Sequence, residues 1–349
     1  MSDTKYDWAV CIGRFQVFHH GQLALLRRAL ALAPQCAVLI GSAWQARSPR
    51  NPFGWQERAD MIRLALTDDE RARVHFAPLR DHYDEQRWVA QAQAAVARLS
   101  GGGGPRIALV GHRKDPTSEY LNDFPGWVLQ DVGRQGELHG KALRAALFTG
   151  ASVEASLAAM RDQVPGSTVD FLRAWAQLPH LERLRAEWQE LAQEHDKWAG
   201  SPYPPVFVTV DAIVRVGDHV LLIRRGRAPG RGLLAVPGGF IDQRETACQS
   251  ALRELEEETG LRLLPSEMAH ALKATRVFDH PDRSQRGRVI THAFHFDLGG
   301  RRRPDIHGSD DAAEAMWVPV AGLAALEDQF HDDHFHLLDA FLGLLPPPP

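Results

Sequence analysis

The chain has 349 residues, which at ~100–200 residues per domain predicts two domains. Hydrophobic residues make up 44% and charged residues 24%, a balance that excludes a disordered chain. With 40 Lys+Arg against 44 Asp+Glu the net charge is -4, so no general field draws the protein to nucleic acid or to an acidic membrane. The three cysteines, Cys11, Cys36 and Cys248, include no C-x-x-C pair and fit neither a disulfide framework nor a structural zinc site. No apolar run reaches the ~18–20 residues of a membrane span, and we expect a cytoplasmic protein.

In chain order, Trp8 to Ile12 reads as a buried strand, Gln22 to Ala33 as a helix and Cys36 to Ile40 as a second strand. The rhythm continues with a helix from about Trp55 to Leu66, a strand at Val74 to Phe76, a helix from Asp84 to Leu99 and a strand at Ile107 to Val110. Strands separated by helices predict an α/β domain with a parallel sheet covered on both faces, over about residues 1–150. Helical stretches at Thr168–Gln177 and Leu181–Trp198 then form a connector over 151–204, closed by the Pro-rich Ser201–Pro205. Val206–Val216 and His219–Ile223, joined by Gly217-Asp218, predict a β-hairpin that opens an α+β domain over 205–345.

The densest chemical signal lies in that second domain, where residues 239–261 read GFIDQRETACQSALRELEEETGL. Glu254, Glu257 and Glu258 stand at i, i+3 and i+4, so a helix places all three carboxylates on one face. Cys248, Ala251, Leu252 and Leu255 form a second face, the one to be buried, and Gly260 suits the left-handed C-terminal position. Like charges at these spacings repel, and a hard divalent cation such as Mg²⁺ relieves that repulsion while keeping positions for phosphate oxygens. Gly238-Gly239 would let backbone approach the metal or the phosphate. Three glutamates alone would read as a solvated acidic face; the full spacing is what resembles the Nudix box, G-x5-E-x7-R-E-U-x-E-E-x-G-U with U aliphatic, at all its fixed positions.

The resemblance implies a Nudix fold and hydrolysis of a nucleoside diphosphate linked to another moiety. By position, Glu254, Glu257 and Glu258, with Gly239, would hold Mg²⁺ or Mn²⁺, Glu245 would assist beside the metals, and Arg253 would orient the carboxylates. Asp310, Asp311 and Glu314 are candidates for the general base, against the plainer reading that they end a strand. Arg283, Arg286 and Arg288 would grip a diphosphate.

In the first domain, Gly13-Arg14-Phe15-Gln16-Val17-Phe18-His19-His20-Gly21-Gln22 follows the first strand and precedes a helix, whose N-terminal amides favour phosphates. This stretch resembles the GRFQPxHxGH motif of nicotinamide-mononucleotide (NMN) adenylyltransferases. Asn51-Pro52-Phe53 with Glu57-Arg58 resembles that family's NPF…ER region. Gly111-His112-Arg113-Lys114-Asp115, Tyr120-Leu121 and Phe124-Pro125-Gly126-Trp127 resemble its GHxKDxSSxYLxxFPxW stretch. Arg144 aligns with the arginine of a late S-x-T-x-I-R motif. By that resemblance His19 would act on the ATP phosphates, with Gly13, Arg14, Phe15, Gly21, Gln22, Arg47, Asn51, Gly111 and Arg144 around the nucleotide. Trp88, which follows Asp81 and Tyr83, would stack on nicotinamide or serve as a partly buried packing residue.

Two positions depart from the pattern. Gln22 stands where the second histidine belongs, and His139-Gly140-Lys141 replaces the late Ser/Thr element before Ala142-Leu143-Arg144. Glutamine donates a hydrogen bond but carries no charge, and Lys141 would supply a compensating cation.

The order of domains, extending through the connector and Pro202-Tyr203, resembles the bifunctional NMN adenylyltransferase/Nudix hydrolases. That family implies NAD synthesis from ATP and NMN in the first domain and cleavage of ADP-ribose to AMP and ribose 5-phosphate in the second, with small molecules as partners and an oligomeric state left open, homo-oligomer included. Gln22 keeps alive a second reading, a hydrolase whose first domain only binds nucleotide and regulates. An RNA-end pyrophosphohydrolase would need a basic channel with stacking aromatics, which the net charge argues against.

Overall fold

The computed structural model describes residues 5–111, 121, 123–133 and 140–346. The chain divides into two compact units, the first running to Arg185 and the second over Ala186–Pro346. Among the described residues no helix is long and apolar enough to cross a membrane.

The first unit carries β1 (Trp8–Gly13), α1 (His20–Leu32), β2 (Gln35–Ile40), α2 (Trp55–Leu64), α3 (Asp68–Arg73), β3 (Val74–Pro78), α4 (Glu85–Ser100), β4 (Ile107–Gly111), β5 (Trp127–Asp131), α5 (Gly140–Thr149), α6 (Val153–Met160), α7 (Gly166–Trp175) and the start of α8 (His180–Asp196). Its five strands are all parallel, in the order β3-β2-β1-β4-β5. The central strands are covered on both faces: Ala9, Val10 and Cys11, all of Cys36–Ile40, and Ile107–Gly111 are buried. This is why they read as unbroken apolar runs. Val89, Ala92 and Val96 of α4 pack with Val10, Leu39, Leu79 and Leu109 in one core cluster. The strand order reverses between β1 and β4, so a crevice opens at their carboxyl ends, beside Gly13 and Gly111.

Four elements of this unit were not legible as such: α3, β5, α5 and α6. The helix α3 follows Leu66 and is announced by a reciprocal cap, Thr67 accepting from the Glu70 amide and Glu70 from the Thr67 amide, the T-x-x-E spacing of a capping box. The strand β5 lies at a sheet edge and leaves Val128 exposed, so it shows no apolar run.

The second unit contains β6 (Val206–Val216), β7 (His219–Arg225), β8 (Leu234–Ala235), β9 (Gly238–Phe240), α9 (Ala247–Thr259), α10 (Pro265–Ala271), β10 (Leu272–Phe278), β11 (Arg288–Asp297), β12 (Ala312–Pro319), a 3-10 helix (Val320–Gln329) and α11 (His334–Leu342). The sheet runs β10-β11-β6-β7-β12, with β8 on β7 and β9 on β6. It is mixed: β11 pairs parallel with β6 from Arg288↔Val206 to Asp297↔Arg215, and the other pairs are antiparallel. Period-two alternation sorts the side chains of β6. Val210, Ala212 and Val214 join Ala251 and Leu255 of α9 on one face, while Ile213 joins Leu337 and Leu338 of α11 on the other. Asp211 shares the face of Ile213, which turns it toward His334 of α11.

Candidate functional site

The turn from β9 into α9 builds the acidic site. Thr246 caps α9 by accepting from the Gln249 amide, and Gln249 accepts in return from the Thr246 amide. Gly260, at φ 69°, ends the helix in the left-handed region. Ala251 and Leu255 are fully buried, and Cys248 and Leu252 pack against the same cluster.

The three carboxylates of α9 differ in setting. Glu258 is 3% exposed and accepts the Gly238 amide at 2.9 Å. Burial pushes its pKa up to about 8; that hydrogen bond works against the shift and the Glu254 charge adds to it. Glu254 is raised too, first by burial, against the pull of Arg253. Glu257 is exposed. Arg253 ties the group together, its Nε donating to Glu245 at 3.0 Å, Nη1 to Glu254 and Glu257 at 2.8 Å each, and Nη2 to the Phe240 carbonyl at 3.2 Å. Although burial alone would lower its pKa, these three carboxylates raise it. Glu245 also accepts from Ser250 Oγ at 2.7 Å, and the Ser250 and Arg253 hydrogen bonds hold its pKa low.

Both glycines of the turn are required by close approach. A Cβ on Gly239 would overlap the Glu254 carboxylate, and one on Gly238 would overlap the Val210 carbonyl. Among the described residues no three side chains are already gathered about one metal position. The donor set nevertheless fits a hard divalent cation: carboxylate oxygens only, two of them disfavouring their own charge because they are buried, beside backbone that carries no Cβ.

The loop before β12 docks on the end of α9 through His307 N–H to the Thr259 carbonyl, Ser309 N–H to the Glu258 carbonyl and Ser309 Oγ to the Glu257 carbonyl. This brings Asp310 and Asp311 close enough to raise Glu254 and Glu258 respectively. Asp311 pairs with Arg227 at 2.7 Å and Glu314 with Arg224 at 3.3 Å; Asp310 is exposed, at φ 53°.

The basic residues separate in the same way. Arg283 is buried in a two-pronged pair with Asp333 at 2.8 and 2.9 Å, and Arg288 is bound to the Asp279 carbonyl. Arg286 lines a small pocket that includes Gly238, Gly239 and Phe240, together with Arg225. Sequence reasoning missed Arg225, because a lone arginine at a strand end carries no motif.

In the first unit, the segment after β1 turns at Phe15, φ 51°, before α1 begins. His19 is the N-cap: its Nδ1 accepts the Gln22 amide at 3.4 Å, and Gln22 Oε1 accepts the His19 amide at 3.3 Å. Gln22 therefore completes a capping box. Gly21 lies in the first turn, and a Cβ on Gly13 would press on the Phe15 ring at 3.1 Å. Gln16 makes a two-way clamp with Phe53, donating to its carbonyl and accepting its amide, both at 3.1 Å. Arg58, 0% exposed, donates to the carbonyls of Arg14, Gly41 and Ser42 and so holds two loop segments in register.

Arg47 pairs with Glu57 and the Pro52 carbonyl. Asn51 is buried and donates to Gln45 at 2.5 Å. Arg144, on α5, donates to the Gln16 carbonyl, and Gly140 leaves it room, since a Cβ there would lie 2.9 Å from that same carbonyl oxygen. Burial, then the charges of Arg14 and Arg50, lower the Arg144 pKa to about 10. The charges of Arg14 and Arg50 acting on Arg144 would suit an anion at this end of the sheet. Asp81 accepts from Ser42 and Gln45. Trp88 packs edge-on against Phe124 at 5.8 Å within the core cluster of α4. Gly111 ends β4 against Leu121; His112, Arg113, Lys114, Asp115, Tyr120 and His139 lie outside the described residues.

A NUDIX domain family model matches residues 205–341, and a cytidylyltransferase-like model matches residues 10–95. The nicotinamide/nicotinic acid mononucleotide adenylyltransferase of Acinetobacter baylyi is 30% identical over 186 residues, 53% of this chain and 95% of that protein. The ADP-ribose pyrophosphatase of Methanocaldococcus jannaschii is 35% identical over 119 residues, 34% of this chain and 65% of that protein. A crystal structure of a bifunctional NMN adenylyltransferase/ADP ribose pyrophosphatase from Francisella tularensis superposes with a TM-score of 0.88 at 33% identity, covering 97% of this chain and 99% of that one. A second crystal structure of such a protein from the same organism, complexed with AMP and a manganese ion, gives the same TM-score at 32% identity. The chain belongs to the family of bifunctional NMN adenylyltransferase/ADP-ribose pyrophosphatases.

Proposed function

We propose that the first unit makes NAD and pyrophosphate from ATP and NMN, and that the second hydrolyses ADP-ribose to AMP and ribose 5-phosphate with Mg²⁺ or Mn²⁺. Adenylyl transfer is assigned to residues 1–150 and hydrolysis to 205–345. The observation that carries the hydrolase reading is the Arg253 hub, which orders Glu245, Glu254 and Glu257 beside the Cβ-free turn at Gly239.

Glu254, Glu257 and Glu258 would hold the divalent cation. When bound, it would polarise the diphosphate and lower the pKa of the attacking water. Arg253 keeps the carboxylates aimed, and Glu258 is fixed by the Gly238 amide.

For adenylyl transfer, Arg14, Arg50 and Arg144 would receive the triphosphate, with His19 at the head of α1. Because His19 Nδ1 accepts the Gln22 amide, its neutral ring carries the proton on Nε2, and that N–H would donate to a phosphate oxygen. Such transfer asks mainly for positioning and charge stabilisation. Gln22 retains the cap that holds His19, which supports an active transferase over a purely regulatory domain.

The test is a product assay with Mg²⁺, ATP plus NMN in one tube and ADP-ribose in another. We expect NAD in the first and AMP in the second. AMP without NAD would make the first unit a nucleotide-binding partner of the hydrolase.

A further inference from the structure

We propose that Gln16 is a positioning residue for adenylyl transfer: its side-chain amide locks the loop carrying Arg50 onto the loop carrying Arg14, and its carbonyl seats Arg144, so that one residue sets the spacing of three guanidiniums. The inference rests on the NAD-forming reading above and adds what holds the triphosphate-binding groups in place.

Gln16 is 3% exposed and sits between β1 and α1, two residues after Arg14. Its partner is the main chain of Phe53, whose amide and carbonyl it meets at 3.1 Å each. A buried peptide group needs both a donor and an acceptor, and a primary amide supplies the two from one side chain. Arg144 reaches the same residue from α5 and donates to its carbonyl. The charges of Arg14 and Arg50 both act on Arg144, so the three guanidiniums share one electrostatic neighbourhood.

The clamp on Phe53 reaches Arg50 because the loop between them is stiff. Ser48 and Asn51 exchange main-chain hydrogen bonds at 3.3 and 3.0 Å, and Ser48 Oγ also accepts the Asn51 amide at 3.2 Å. Pro49 and Arg50 are thus the two central residues of a closed turn, with proline at the position that suits its fixed φ. Arg50 therefore goes where the base of the turn is held. Gln45 holds one side, accepting from Asn51 at 2.5 Å and donating to Asp81 at 2.8 Å. Phe53 holds the other, its ring 2% exposed and edge-on to Trp175 of α7 with centroids 4.7 Å apart. Arg58 runs beside the clamp, from the Gly54 carbonyl to that of Arg14. Gln16 is what adds Arg144 to the same frame. Misplacing groups that position a reactant by about 1 Å costs on the order of 100-fold in rate.

The test is steady-state kinetics of NAD formation by the full chain, comparing wild type with Gln16→Met, each with and without Arg50→Ala. Methionine removes both amide hydrogen bonds and keeps the carbonyl that seats Arg144. We expect Gln16→Met to raise the KM for ATP about tenfold and to leave the KM for NMN unchanged. In the Arg50→Ala background the same substitution should add little, because the amide then has nothing left to place. Gln16→Asn, which keeps the amide but is one methylene short, should give the same split to a smaller extent, and it answers the question where Gln16→Met does not fold. A lowered melting temperature with unaltered kinetic constants would make Gln16 a packing residue, and equal rises in both KM values would make its effect a general distortion; either overturns the proposal. Effects of Gln16→Met and Arg50→Ala that simply multiply would overturn it as well. A wild type that forms no NAD would refute the transferase reading, and calorimetric titration with ATP then tests Gln16 separately: binding that Gln16→Met weakens only while Arg50 is present keeps its role, and unaltered binding ends it.

Discussion

The two units meet phosphate with opposite charges. In the first, burial followed by the charges of Arg14 and Arg50 lowers the Arg144 pKa, and these side chains would bind the anion directly. In the second, burial raises the pKa values of Glu254 and Glu258, with neighbouring carboxylates adding to it, and a cation would come between protein and phosphate. The difference follows from architecture. A parallel sheet gathers loops and helix N-termini at the carboxyl ends of its strands, a positive environment, whereas the mixed sheet presents one face of a single helix, whose side chains alone set the sign.

The comparison predicts independence, and the largest effect tests it. Glu257→Gln should reduce ADP-ribose hydrolysis by at least about 100-fold, since loss of a ligand exceeds the 10–100-fold typical of an outer-shell change, and should leave NAD formation unaltered. Parallel loss of both activities in a folded variant would refute two separate sites. A smaller effect is expected from Arg58→Met, which strands the carbonyls of Arg14, Gly41 and Ser42 in the interior. At ~1–3 kcal/mol for each unsatisfied buried group, the first unit should lose about 3 kcal/mol of stability. Denaturant titration should then show NAD formation failing well before hydrolysis; coincident loss would mean that the units do not unfold separately. The smallest effect sharpens the role of Gln22. Gln22→Ala removes one half of the α1 cap at a cost of about 0.5–1 kcal/mol, so NAD formation should fall less than about tenfold. A larger drop in kcat without a change in melting temperature would give Gln22 a direct part in transfer.

How far each site was legible follows the same contrast. Glu254, Glu257 and Glu258 lie close together in one run, so helical geometry alone could put them on one face on paper, while Glu245 and Arg253 were placed by the resemblance to the Nudix box. The arginine-rich site draws on residues 14, 50 and 144, carried by separate loops and a late helix; the family likeness pointed to Arg14 and Arg144, and Arg50 was missed. Arg225 shows the limit, since its place beside Arg286 depends on the pairing of distant strands.

The sequence by itself determined the two-domain plan, the parallel sheet of the first domain and the face of α9 that carries the carboxylates, because these follow from apolar periodicity and local capping. Tertiary structure decided which charges are available. It spent Arg283 on Asp333 and Arg47 on Glu57, left Arg286 Nε without a hydrogen bond, and turned Asp211 toward His334 by its parity on β6. Availability depends on partners far apart in the chain, and no local pattern encodes which of them will meet.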